Sequence, residues 1–270
     1  MRSALLLLAG CNSFYGLDTT QGRDASAKQF FDARPDAPYA CPGPGVAPRF
    51  KRTFGQVPVN GAIHYTPSHD WMNALAYSHL GFLVGPIDGP MTTAIPNPSP
   101  LHEPRLFPEG DRMIVKDGAM NRIDIYARTD TTWSYATTFR QGAVGNIVVS
   151  TPSRGPDRRV VVIDDLQGTG YMLTEHVEQA DLTWQAKPAY PIKLPSGSYP
   201  SLSADGLRLV FGSTGALGVL YASRATRDAP FESLISLTTV PNQAYYVFLD
   251  DNCARLYFSA LDTVLYVDQE

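Results

Sequence analysis

The chain has 270 residues, 44% of them hydrophobic and only 18% charged, with a formal net charge of −4 at pH 7. Lys and Arg never gather beyond Arg158-Arg159 or the Arg49-Phe50-Lys51-Arg52 stretch, which disfavours a nucleic-acid partner, because phosphate contact needs a concentrated basic face. No apolar run reaches the ~18 residues of a membrane span, and 22 Gly, 22 Pro, 14 Tyr and 12 Phe suit short strands and frequent turns rather than helices.

The N-terminus reads as a targeting segment. Met1-Arg2-Ser3 carries positive charge, and Ala4 to Gly10 is an apolar stretch that ends at Cys11, the layout of an export signal. Leu8-Ala9-Gly10-Cys11 resembles the bacterial lipobox, which implies a lipoprotein signal peptide over residues 1–10 and lipidation of Cys11. Asn12 is not the Asp that retains such lipoproteins in the inner membrane, so the resemblance implies a bacterial outer-membrane protein held by its lipid anchor. The alternative is an ordinary buried Cys11. Residues 11–47 read as a tether: Asp18, Asp24, Asp32 and Asp36 alternate with small residues, and Pro35, Pro38, Pro42 and Pro44 crowd its end. Such a stretch lacks the apolar surface to fold alone and supplies reach.

From about residue 48 the chain repeats itself. Glu103–Val115, Asn146–Val162, Tyr199–Phe211 and Tyr246–Phe258 each hold a short strand, a turn, then Arg followed by apolar residues. The arginines, Arg112, Arg159, Arg208 and Arg255, recur at intervals of 47, 49 and 47 residues. A divergent copy precedes them at Ile63–Tyr77. A third strand follows as Ile123–Ala127, Gly218–Ala222 and Thr263–Val267, and a fourth element opens with Trp133, Trp184 and Phe231. Four short strands per 40–50 residues is the pattern of a propeller blade. Glu109-Gly110 and Asp205-Gly206 supply the positive φ of a tight hairpin.

Pro200-Ser-Leu-Ser-Ala-Asp-Gly-Leu-Arg-Leu-Val-Phe211 resembles the TolB-like propeller repeat, and Glu103–Val115 is a looser match. The resemblance covers roughly residues 60–270. It implies a β-propeller used for protein contacts in the cell envelope, and says little of chemistry, because propellers host unrelated activities. A β-sandwich is the competing fold.

The last copy ends at Glu270 without a fourth strand, while Pro48–Val59 looks like a fourth strand with nothing before it. The expectation is therefore an all-β fold: a small β-propeller domain over residues 48–270 with five four-stranded blades, near 60–101, 102–142, 143–194, 197–240, and 243–270 plus 49–59. The N-terminal strand pairs with the last blade and closes the ring, removing an exposed edge. With Cys11 acylated, Cys41 and Cys253 remain, and in an exported protein they suggest a disulfide. Cys253 falls in the turn between the first and second strands of the last blade, at the end where its fourth strand starts, and Cys41 sits eight residues before Arg49, so the two thiols can meet. Two free thiols are the alternative.

Recognition in a propeller concentrates where the innermost strands open into the central funnel. Those strands offer His64, Glu103, Arg105, Asn146, Tyr199, Tyr245 and Tyr246 as ligand-binding candidates, residue types favoured at recognition surfaces. They can equally pack between blades. They contain one carboxylate, Glu103, whereas glycoside hydrolysis uses two. The five His residues do not gather as a zinc site needs, and neither a nucleophile elbow nor a phosphate loop is present. The reading is a binding or scaffold module that docks another envelope protein, with no cofactor, no metal and no catalytic set. A glycan or small-ligand propeller is the alternative, and a propeller hydrolase is the third.

Overall fold

A computed structural model describes residues 40–57, 62–67, 73–78, 81–86, 92–96, 101–130, 132–142, 147–155, 157–165, 171–180, 182–190, 194, 198–213, 218–241, 244–260 and 263–270. Cys11, the signal segment and most of the tether fall outside them. Residues 33–270 belong to one unit, and its described part is all strand and turn.

The first strand, β1 (Gly55–Gln56), is followed by four complete sheets in chain order. Blade 1 is β2 (Ala62–Pro67), β3 (Asn73–Ser78), β4 (Gly81–Pro86) and β5 (Thr92–Pro96). Blade 2 is β6 (Leu101–Leu106), β7 (Arg112–Asp117), β8 (Arg122–Thr129) and β9 (Thr132–Gln141). Blade 3 is β10 (Ile147–Val149), β11 (Arg159–Asp165), β12 (Tyr171–Glu178) and β13 (Trp184–Ala186). Blade 4 is β14 (Ser198–Leu202), β15 (Arg208–Ser213), β16 (Leu220–Ser223) and β17 (Ile235–Ser236). Blade 5 takes β18 (Tyr245–Leu249), β19 (Arg255–Ala260) and β20 (Thr263–Asp268) from the C-terminus, and β1 completes it in the order β1-β20-β19-β18. Every pairing is antiparallel between neighbours. The five-bladed propeller and its closure by the N-terminal strand are as expected.

The run of apolar residues after each Arg now has its cause. The second strand of a blade is covered on both faces, so it needs apolar side chains at every position rather than alternate ones. In β11, Val160 and Val162 pack against Ile114, Ile123 and Ile125 of blade 2, while Val161 and Ile163 pack against Leu209, Phe211 and Leu220 of blade 4. In β7, Ile114 faces blade 3 and Met113 and Val115 face Leu75 and Phe82 of blade 1. The core is thus a ring of inter-blade layers. The fifth layer joins blades 5 and 1 through Tyr65, Ala74, Ala76, Tyr257 and Val264.

Ring closure uses more than β1. Lys51 N donates to Asp268 O at 2.8 Å, Glu270 N to Arg49 O at 2.9 Å and Val57 N to Val264 O at 2.9 Å, and Phe50 is buried in the layer between blades 4 and 5. Cys41 and Cys253 are joined, with Cα atoms 4.9 Å apart.

Two outer strands differ from expectation. The fourth strand of blade 3 is only Trp184–Ala186, after which Lys187 N donates to Glu175 O at 2.7 Å and a bridge joins Leu173 to Tyr190. That of blade 4 is only Ile235–Ser236, and its aromatic opener Phe231 lies before it. Pro188 follows the first of these segments and Pro230 precedes the second, and proline cannot donate to a ladder.

Candidate functional site

The central channel is lined by β2, β6, β10, β14 and β18. Where these strands begin, three of them are irregular. The register slips by one residue between Ala62 and His64 in β2, between His102 and Arg105 in β6, and between Tyr245 and Phe248 in β18. Two of the extra residues lie in the left-handed region although they are not glycine: Glu103 at φ 51° and Tyr246 at φ 43°. Other non-glycine residues of that kind, such as Asn121 and Asp130, sit in hairpin turns where a positive φ is ordinary. A bulge re-aims a side chain, and a left-handed non-glycine residue within a strand costs of order 1–3 kcal/mol. Here the two bulges turn Glu103 and Tyr246 to one place.

The Tyr246 and Tyr199 rings have centroids 4.4 Å apart at 54°. The Arg105 guanidinium lies 5.8 Å from the Tyr246 ring centroid. Its Nε donates to Val149 O at 3.3 Å, and the residue is 1% exposed. Burial lowers the Arg105 pKa, opposed by Glu103 and the two tyrosines. Burial likewise raises the Tyr246 and Tyr199 phenols, so both are neutral proton carriers across the physiological range. Glu103 carries its carboxylate 4.0 Å from Lys116 Nζ, with both side chains partly exposed, and Lys116 also donates to Ile147 O at 3.2 Å.

Four of the seven candidates therefore meet: Glu103, Arg105, Tyr199 and Tyr246. Tyr245 is half-buried on the same strand and close enough to Tyr199 to raise its pKa. His64 occupies β2 opposite Tyr77, its side chain outside the described residues, and Asn146 falls outside them altogether. Lys116 is an addition, because it comes from a second strand and the sequence reading weighed only first strands. Gly212 is another. It pairs with Tyr199, and a Cβ there would come within 2.7 Å of Ala244 O and 3.1 Å of the Tyr245 carbonyl carbon. The glycine lets the start of β18 lie close enough for the tyrosines to meet.

The recurrent arginines do different work. Arg112 pairs with Glu178 of blade 3 at 2.6 Å, and Arg159 reaches Asp228 of blade 4 at 2.8 Å and Glu175 at 3.4 Å. Arg208 pairs with Asp205 of its own hairpin, and Arg255 with Asp268 at 2.7 Å. They clasp blades and turns. At the opposite end of the channel lies an apolar recess lined by Leu106, Pro108, Thr151, Leu202 and Phe248 with Asp251 at its rim. Among the described residues no group of three or more His, Cys, Asp or Glu is placed to hold a metal.

No known protein family and no curated protein matches the chain in sequence. Solved structures do match. A gluconolactonase from Xanthomonas campestris is 12% identical, over 88% of this chain and 99% of its own, with a TM-score of 0.45. The calcium-binding protein regucalcin from Agrobacterium tumefaciens is 13% identical over 76% of each chain, with a TM-score of 0.45. The β-propeller domain of Swd1 from Myceliophteria thermophila is 10% identical, over 75% of this chain and 69% of its own, with a TM-score of 0.42. Likeness at these levels speaks to the fold alone. The expectation of a non-enzyme is nonetheless corrected: a gluconolactonase stands among the similar structures, so the missing second carboxylate removes one mechanism, that of glycosidases, and not catalysis as such.

Proposed function

We propose that the chain is a lipoprotein anchored in the bacterial outer membrane through Cys11, whose TolB-like propeller binds a small polyhydroxylated ligand, a glycan or a sugar-derived molecule, at the channel mouth. The observation that carries this is the meeting of two left-handed, bulged residues, Glu103 and Tyr246, with Tyr199 at one mouth. Backbone strain held at one spot is a mark of a working site. A carboxylate accepts hydrogen bonds from hydroxyls, and aromatic faces pack against the apolar faces of a sugar ring. Polar groups converging on a concave mouth are what such ligands need.

Calorimetric titration of the purified protein with a panel of soluble mono- and oligosaccharides tests this. We expect saturable binding of at least one, weakened more than tenfold by Tyr199→Ala combined with Tyr246→Ala, with the thermal midpoint nearly unchanged. Arg105 is left intact because it is buried and its loss would disturb packing. Saturable binding that the double variant retains would place the ligand elsewhere. If no saccharide binds and a protein partner co-purifies from envelope extracts, docking replaces ligand capture.

A further inference from the structure

We infer that the same mouth hydrolyses an acyl ester of its hydroxylated ligand, with Glu103 as the general base; this rests on the ligand-binding reading above. Glycoside hydrolysis takes two carboxylates, and the described mouth offers Glu103 alone. Ester hydrolysis asks for less: one base to take a proton from water, and donors where the carbonyl oxygen becomes negative. Both kinds of group are present. Glu103 is aimed into the mouth by a left-handed bulge, and its carboxylate is partly exposed. Lys116 stands 4.0 Å from it. The rings of Tyr199 and Tyr246 pack together beside them, with centroids 4.4 Å apart. The Tyr199 phenol, half-buried and neutral, is a hydroxyl donor at the mouth.

The step balances without a co-reactant other than water. Glu103 takes a proton as the water oxygen bonds to the carbonyl carbon. The carbonyl oxygen becomes an oxyanion, which Lys116 and the Tyr199 hydroxyl stabilise. On collapse the bond to the ester oxygen breaks, and the proton held by Glu103 passes to the leaving alkoxide. The products are an alcohol and a carboxylic acid. That transfer restores the Glu103 carboxylate, and the acid product loses its own proton to solvent.

The probes are 4-nitrophenyl acetate, followed by nitrophenolate release, and O-acetylated xylan, followed by acetate release, each beside a calorimetric titration with the deacetylated glycan. We expect hydrolysis well above the buffer rate, reduced 10²–10⁴-fold in Glu103→Gln, the scale of a general base, a loss in kcat that exceeds the same variant's loss of affinity for the deacetylated glycan. Tyr199→Phe is expected to lower kcat ten- to a hundredfold, with KM within a factor of three. Should Glu103→Gln misfold by its thermal midpoint, Glu103→Asp, which shortens the reach of the base, is expected to cut kcat at least tenfold. Saturable glycan binding with no hydrolysis of either ester, or hydrolysis that Glu103→Gln retains, overturns the inference and leaves the binding reading standing. Absence of both binding and hydrolysis overturns the two together.

Discussion

At the scale of single residues, position 253 is instructive. The turns between the first and second strands of blades 2 and 4 carry Gly110 at φ 74° and Gly206 at φ 73°, and the equivalent turn of blade 5 carries Cys253 at φ 60°. The left-handed conformation disfavours a residue with a Cβ by about 1–2 kcal/mol, yet Cys253 is bonded there to Cys41. A crosslink enclosing 212 residues of sequence separation restricts the unfolded chain, by about 5 kcal/mol in the chain-entropy account. The two effects can be separated. Replacing Cys41 and Cys253 together by Ser is expected to destabilise the protein by about 2–4 kcal/mol. Pairing Cys41→Ser with Cys253→Gly is expected to recover about 1 kcal/mol of that loss. Urea unfolding of the three proteins reads both differences, and equal stability of the two double variants would show that the turn carries no strain.

At the scale of elements, bulges serve two ends. On the innermost strands they aim side chains into the mouth. On the outermost strand of blade 2 they serve the edge. β9 is ten residues long, far longer than the two or three residues of β1, β13 and β17, and long unpaired edges invite association. Its register against β8 slips at Phe139 and again at Ala136, which twists the edge and spoils it as a template. The mouth depends on a close approach as well as on bulges. Gly212 admits the backbone of Ala244 and Tyr245, so Gly212→Ala must push the start of β18 outward. We expect a loss of about 1–3 kcal/mol of stability, the usual effect of overpacking, together with at least a fivefold weakening of saccharide binding, although Gly212 touches no ligand. Calorimetry alongside thermal unfolding checks the pair of effects, and unchanged affinity would show that the Tyr199–Tyr246 contact does not set the site.

At the scale of the whole molecule, the blades are joined by apolar layers and by buried polar clasps. Glu175, 1% exposed, accepts from Arg224 Nη2 at 2.7 Å and from the Tyr190 hydroxyl at 2.8 Å, linking blade 3 to blade 4. Burial, and then the Glu175 hydrogen bond, pushes the Tyr190 phenol up to about 12. Burial raises Tyr65 and Tyr257, on either side of the ring-closing layer, as well. The sign follows from proton linkage. Above pH 10 the unfolded chain releases phenolic protons that the folded protein keeps, so stability, complete below pH 10, falls as pH rises toward 12 and beyond. Unfolding midpoints measured from pH 8 to 12 are expected to drop steeply above 10, and Tyr190→Phe to shallow that slope.

Much of this was legible before any coordinates. The interval between Arg112, Arg159, Arg208 and Arg255, the doubled apolar runs after them and the lone strand-like element Pro48–Val59 ahead of the first repeat together point to five blades and to the strand that closes them. These are local or periodic features, and a strand covered on both faces declares itself by composition alone. The mouth was legible in part. Glu103, Arg105, Tyr199 and Tyr246 could be placed on innermost strands, because blade position follows from the repeat. That Lys116 joins them, that Glu103 and Tyr246 are left-handed and that Gly212 makes room for them were not, because a one-residue slip leaves no periodic trace when it falls at a strand's end. Nor did the repeat reveal that two of its arginines clasp the next blade, since Arg112 meets Glu178 and Arg159 meets Asp228 across sequence distances that differ from copy to copy. Sequence by itself determined the fold, since alternation, turn residues and spacing act within a blade. Only the tertiary structure decided the site, because its groups come from three blades and meet once the ring has closed.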